Sequence, residues 1–158
     1  MESARSANAN DVGRIGELAA ELAAELTPTR GGDVWSRREA PKVPYEQHYH
    51  ALLAHDLAAE LAVGTIDSIV VGYGAVRVER LRDDSQLGVI DELFVEVGAR
   101  EVGVAEAVIE SLRSWCRDAG CFGVDALALP GNRQAKNFFE AHGFVARSLT
   151  MHHRFASE

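Results

Sequence analysis

The residues best suited to chemistry lie between Asp91 and Ala105. The run Arg100-Glu101-Val102-Gly103-Val104-Ala105 follows the strand-like stretch Leu93-Phe94-Val95-Glu96-Val97. It leads into apolar positions Val104, Val108, Leu112, Trp115 and Ala119, spaced by four, four, three and four, which is helical periodicity. A strand therefore passes through a short loop into the start of a helix. The first-turn amides of a helix lack internal partners, and the helix dipole adds partial positive charge there. A glycine at that point lets an anion approach the backbone closely. The ligand that this arrangement suits is a phosphate or a diphosphate. Just upstream stand two adjacent carboxylates, Asp91 and Glu92. Side chains alternate along a strand, so regular alternation sends them to opposite faces and only one to any one cleft.

Other reactive side chains carry less. His48 and His50, and the pair His152-His153, have no third metal ligand at a recognisable spacing, so no metal site is expected. Cys116 and Cys121 form no CxxC and read as free packing thiols in a reducing compartment.

The elements that must position these residues read as follows. Residues 1–10 are a polar N-terminus with at most a short edge strand. Asp11 is suited to cap a helix whose face is Ile15, Leu18, Leu22 and Leu26, ending before Thr27-Pro28. Residues 27–43, with Pro28, Gly31-Gly32 and Pro41, read as a loop. A second helix spans about 44–55 and buries Tyr45, Tyr49, Leu52 and Leu53. The stretch 57–63 is ambiguous between helix and strand, and a strand from about Glu60 to Ile66 is favoured. Asp67-Ser68 then turns the chain into a strand over 69–76. A polar turn at 82–86 leads to a strand over 88–97. Gly120 stops the helix that follows the loop. A short apolar strand over 124–129, a loop at 130–132 and a helix over 133–141 come next. Residues 144–155 are expected to return as one or two strands.

The 158 residues suffice for one domain with a sizeable core, here placed at 11–155. Hydrophobic residues make up 47% and charged residues 25%, an ordinary globular balance. A net charge of −8 with scattered Lys and Arg argues against a nucleic-acid partner. The sequence shows no secretory signal pattern and no apolar run of membrane-spanning length. A cytoplasmic protein without a membrane partner is expected.

Several separated stretches resemble one family, the GCN5-related N-acetyltransferases (GNAT). Arg100-x-x-Gly103-x-Ala105 is similar to its acyl-CoA signature, Arg/Gln-x-x-Gly-x-Gly/Ala. Leu93-Phe94-Val95-x-Val97-x-x-Arg100 resembles its Leu-Tyr-Val-x-Pro-x-x-Arg, with Val97 in place of proline. Asn132-x-x-Ala135-x-x-Phe138-Phe139-Glu140-x-x-Gly143-Phe144 resembles its Asn-x-x-Ala-x-x-Phe-Tyr-Glu-x-x-Gly-Phe. The opening, from Arg5 through Asp11 to Leu18, and the hairpin Ile66–Tyr73 fit the family's first elements and central hairpin. Two spaced motifs in order are far more specific than either alone.

The resemblance implies an α/β, single-domain acyl-CoA N-acyltransferase fold. Its sheet is mixed, mostly antiparallel and bent, flanked by helices, with a V-shaped cofactor cleft between the strands near 88–97 and 124–129. It implies acetyl-CoA as cosubstrate, the pantetheine arm along Leu93, Phe94 and Val95, the diphosphate on the loop from Arg100 and Glu101 through Val102, Gly103 and Val104 to Ala105, and Asn132 on the pantetheine. It implies an acid at Asp91 acting on the amine, with Glu92 as the alternative. The acceptor is a primary amine on a small molecule or a protein, and a homodimer is more common than a monomer.

Two positions depart from the pattern. Phe139 replaces a tyrosine that often protonates the leaving thiolate. A thiol pKa of about 8.5 lets the thiolate leave without it, and Tyr73, Ser148 or water are candidate substitutes. Glu101 puts a carboxylate beside the expected phosphates. These departures support a second reading, a CoA-binding sensor or scaffold with weakened catalysis.

Overall fold

The structure, a computed structural model, describes residues 1–55 and 58–156. Among them the order is β1 (Glu2–Ser6), α1 (Val12–Leu26), α2 (Gly32–Arg38), α3 (Tyr45–His55), β2 (Ala59–Ile66), β3 (Ile69–Arg80), β4 (Gln86–Val95), α4 (Val104–Asp118), β5 (Gly123–Ala126) and α5 (Arg133–Ala141). The strands form one sheet in sequence order. Pairing is antiparallel from β1 to β4 and parallel between β4 and β5, where α4 makes the crossover. Leu57, the first residue of the ambiguous stretch, lies outside the described residues.

Local chemistry accounts for the elements. Asn8 and Asp11 form a reciprocal capping box at the short 3-10 turn leading into α1, and Arg5 clamps Asp11 through both carboxylate oxygens at 2.8 and 2.9 Å. Asp67 and Ser68 both adopt positive φ, +48° and +72°, as a two-residue hairpin turn between twisted strands requires. Val12, Ile15, Leu18, Ala19 and Leu22 of α1 pack on Leu61, Val63, Tyr73, Ala75 and Phe94 of the sheet, together with Trp35 of α2 and Tyr49 of α3. The opposite face receives α4 through Val108, Ile109, Leu112 and Cys116, and α5 through Phe139. This second contact needs small residues in the sheet. A Cβ on Gly64 would stand 2.6 Å from Val104 Cγ1, and one on Gly74 2.8 Å from Val108 Cγ1. The close approach fixes α4, and with it the loop that opens it.

Three sequence expectations are corrected here. The stretch 27–43 is not all loop, because α2 forms within it. Gly31, at φ +90°, turns the chain into that helix, and Trp35, 3% exposed, anchors it in the core. The strand expected over 124–129 stops at Ala126, since β4 and β5 diverge beyond that point. Residues 144–156 form no strand in the described chain, because no backbone hydrogen bond joins residues 145–156 to a neighbour.

Candidate active site

The sheet opens where β4 loses its second neighbour. β4 pairs with β5 from Leu87↔Gly123 to Ile90↔Ala126, and Leu127 N–H donates to Ile90 O at 3.1 Å. Past Ile90, Leu93, Phe94 and Val95 pair only with Gly74, Tyr73 and Gly72 of β3. Their other backbone edge faces the gap left by the departing β5. A cavity of about 480 Å³ occupies the gap, lined by β4 from Ile90 to Val95, by Leu22, Glu25 and Leu26 of α1, by Trp35, by the loop at 99–106, and by Leu127, Leu129, Asn132 and Phe139. It is the V-shaped cleft expected between these two strands.

At one end lies the strand-to-helix loop. Glu101 and Gly103 adopt left-handed backbone, φ +66° and +95°, the kind of conformation from which anion-binding nests are built. Ala107 N–H, bonded to Gly103 O at 3.1 Å, is the first amide of this turn with a backbone partner among the described residues. The amides from Glu101 to Ala105 thus have no backbone partner among the described residues, at the positive end of the fifteen-residue α4. The side chain of Val104, 1% exposed, is committed to the core, and Val102 stands out toward solvent. Neither residue is part of the cavity lining.

At the other end stand the two carboxylates, and the alternation argument fails there. The β3–β4 register shifts between Ala75 and Val76, with Ala75 opposite Glu92 and Val76 opposite Ile90, so Asp91 is the extra residue of a β-bulge. Both acids consequently turn to the face covered by α1–α3. Asp91 lies 3.5 Å from Arg77 and close to Glu39, while Glu92 meets Tyr49 and Tyr73. Tyr49 Oη donates to Glu92 Oε1 at 2.5 Å and Tyr73 Oη donates to the same oxygen at 2.8 Å. Glu92 Oε2 has no protein hydrogen-bond partner among the described residues. Burial pushes the Glu92 carboxyl up to about 7, opposed by the Tyr49 hydrogen bond and reinforced by the neighbouring Asp91. Burial also raises Asp91, and the Arg77 charge pulls it back. Both tyrosines are held well above the usual phenol range, first by burial and then by Glu92, so they act as neutral donors.

A family model described as the acetyltransferase (GNAT) family matches residues 21–144. The chain belongs to the GNAT acetyltransferase family. Solved GNAT-type structures superpose along its whole length. Glucosamine-6-phosphate N-acetyltransferase from Arabidopsis thaliana gives a TM-score of 0.69 at 21% identity, with 99% of each chain covered. Ribosomal-protein-alanine N-acetyltransferase from Brucella melitensis gives 0.71 at 18%, covering 99% of this chain and 100% of that one. An aminoglycoside acetyltransferase from an uncultured soil metagenomic sample, solved with sisomicin, gives 0.73 at 16%, covering 99% and 97%. At these identities the likeness speaks to the fold alone. No curated protein sequence matches the chain. No described helix of this GNAT chain is long and apolar enough to cross a membrane.

Within this GNAT frame, three motif residues have structural partners that the sequence did not reveal. Arg100 donates from Nε to Val95 O at 2.8 Å and grips both oxygens of Glu25 at 3.0 and 3.1 Å, so its guanidinium folds the loop back onto β4 and α1. Asn132 Oδ1 accepts from Ala135 N–H at 3.2 Å and caps α5, leaving its amide NH₂ at the cavity wall. Phe139, 6% exposed, packs against Phe138 and Phe144 at ring distances of 5.6 and 5.3 Å. Of the suggested substitutes for its missing hydroxyl, Tyr73 is engaged with Glu92 and Ser148 is exposed. Tyr49 and Arg77 were not singled out as site residues. Each bonds to a β4 acid far away in sequence, and no local spacing signals such a pair.

Proposed function

We propose that the chain transfers an acetyl group from acetyl-CoA to a primary amine by direct attack, with Glu92 as general base. The observation that carries this reading is the β-bulge at Asp91. It brings a buried carboxylate, poised near neutrality and held through one oxygen by two tyrosine hydroxyls, to the wall of the cavity that also contains the free β4 edge and the amide loop.

An alkyl ammonium has a pKa of about 10 and must lose a proton before it can attack. Glu92 Oε2 accepts that proton, and the amine nitrogen then bonds to the thioester carbonyl carbon. The free backbone edge at Phe94 and Val95 offers an N–H to the oxygen as negative charge develops. The C–S bond breaks as the amide forms, and the second proton shed by the nitrogen passes through water to the departing thiolate, since Phe139 has none to give. The pantetheine lies along Leu93–Val95 as an added strand, and the diphosphate sits on the amides from Glu101 to Ala105. Asp91 and Glu39 make the acceptor end acidic, which suits a cationic amine. The two free cysteines fit a reducing compartment such as the cytoplasm.

Phe139 supports a second reading, a CoA-binding module with little turnover. The test is thiol release from acetyl-CoA with a panel of primary amines, small and peptidic, with the acetylated product identified by mass. Amine-dependent thiol release supports the transferase. Saturable CoA binding without turnover on any amine supports the binding module.

A further inference from the structure

Glu92 fixes the side from which an amine reaches the cavity. Its carboxyl lies on the face covered by α1–α3, with Oε1 held by Tyr49 and Tyr73, so an ammonium bound to Oε2 sits on that face. The cavity lining divides between the two faces of the sheet. Asn132, Gln134 and Asn137 come from α5 and its cap, and α5 packs on the opposite face through Ala135, Phe138 and Phe139. On the amine's own face the lining is Leu22 and Leu26 of α1, Trp35 of α2, Phe94 of β4, and Leu129, all members of one packed apolar cluster. The loop after β5 is tied to the loop before α2, because Gly131 N–H donates to Arg30 O at 3.1 Å. A Cβ on Gly131 would stand 2.6 Å from Arg30 N, so the two backbones meet directly. Leu129 and Trp35 thereby belong to one continuous wall.

The charges around this wall are already matched. Glu25 meets Arg100 at 3.0 Å, Asp91 meets Arg77 at 3.5 Å, and Glu39 meets Arg38 at 2.6 Å. Among the described residues of α1, α2 and β4 that line the cavity, Glu92 alone is a carboxyl without a cationic partner. The wall therefore has a place for one ammonium. A second charged group carried beside it would lose its water there and find no free counter-charge. A carboxylate next to the amine would also face Glu92 and Asp91. An alkyl or aryl group gains from the same burial.

We propose that the acceptor is a small primary amine carried on an apolar alkyl or aryl body with no second charge, and that Leu22, Trp35 and Leu129 select it. The inference rests on the acetyl-transfer reading with the amine at Glu92, and it narrows the acceptor within that reading.

Two measurements on the parent keep the acceptor class apart from the transferase reading. The first is kcat/KM with acetyl-CoA for phenethylamine and hexylamine, set against lysine, spermidine and glucosamine. The apolar pair should lead by roughly 10- to 100-fold, the share expected from burying a side-chain-sized apolar group. The second is calorimetry of the same amines on the parent saturated with CoA, which needs no turnover. The apolar pair should bind at least about tenfold more tightly than the others. Leu129→Asp puts a carboxylate on the wall, and it should move the preference from hexylamine to hexamethylenediamine in both measurements. Turnover of lysine, spermidine or glucosamine that equals or exceeds that of the apolar pair overturns the proposal and leaves the transferase reading standing. A Leu129→Asp variant that folds and keeps the parent's order overturns it too. No turnover with any amine removes the transferase reading instead. Calorimetry then decides the wall: tighter binding of the apolar pair upholds it, and equal or absent binding overturns it. If Leu129→Asp fails to fold, the two amine series on the parent decide alone.

Discussion

Tyr49 in α3 places its hydroxyl 2.5 Å from Glu92 Oε1 in β4, the shorter of the two tyrosine hydrogen bonds on that oxygen. The contact ties the helix that follows the stretch 27–43 to the carboxylate at the cavity. It also sets the basicity of that carboxylate, because a hydrogen bond donated to the ionised form favours it against burial. Tyr49→Phe should therefore move the acidic limb of the pH–rate profile upward by roughly one unit and cost about 1 kcal/mol of stability, the net worth of one hydrogen bond. Rate and denaturation measurements on the same variant check both. An unmoved limb would disconnect Tyr49 from the reaction.

Glu92 also makes stability depend on pH. Its folded pKa, about 7, lies above its ordinary value of 4.5, so the folded state binds the proton more tightly. The associated stability is fully present below about pH 4.5 and is lost as pH rises through about 7, by at most about 3 kcal/mol. Glu92→Gln carries no such proton. It should flatten this part of the stability profile and be more stable than the parent at pH 8, even though it is impaired in catalysis. Urea titrations at several pH values measure it. A variant less stable than the parent at pH 8 would contradict the assigned burial cost.

The loop invites a test of charge. Glu101 is exposed, lines the cavity and adopts left-handed backbone beside the amides assigned to the diphosphate. A carboxylate 4 Å from a phosphate costs about 1 kcal/mol in water and about 4 at an effective dielectric of 20. Glu101→Gln should tighten CoA binding several-fold, and the gain should shrink as salt rises. Equal affinities at low salt would mean that the side chain points away from the phosphates.

Arg100 acts on the same loop from behind. Its bidentate grip on Glu25 and its bond to Val95 O hold the turn that presents the amides. Arg100→Ala should weaken CoA binding by about tenfold, equivalent to about 1.4 kcal/mol, and Glu25→Gln should reproduce part of the loss. Calorimetry on both variants checks this. An Arg100→Ala loss with none from Glu25→Gln would assign the arginine to the ligand instead of the loop.

Much of the fold was legible because it rests on local signals. Ile15, Leu18, Leu22 and Leu26 marked a helix face, Asp67-Ser68 a hairpin turn, and Gly103 a helix start, and the structure has all three. Helix α2 was missed because Pro28 and Gly31-Gly32 dominate its neighbourhood, whereas Trp35 makes it a core element through contacts the sequence cannot display. The site was legible only as a pair of acids. The facing of Asp91 and Glu92 depends on a bulge, an offset between two strands that leaves no trace in either one. The preference for Glu92 over Asp91 depends on hydroxyls from positions 49 and 73, brought together only by the packed fold.

The most direct test of the account is the pH dependence of acetyl transfer by the parent, Glu92→Gln and Asp91→Asn, on an amine that the parent accepts. A general base contributes ~10²–10⁴-fold. Glu92→Gln should lose that much at neutral pH, keep its acetyl-CoA affinity, and lose the acidic limb near pH 7, with the deficit narrowing as rising pH deprotonates the amine. Asp91→Asn, whose carboxylate is paired with Arg77, should lose far less and keep the limb. A full loss in Asp91→Asn with Glu92→Gln close to the parent would contradict the assignment of the base.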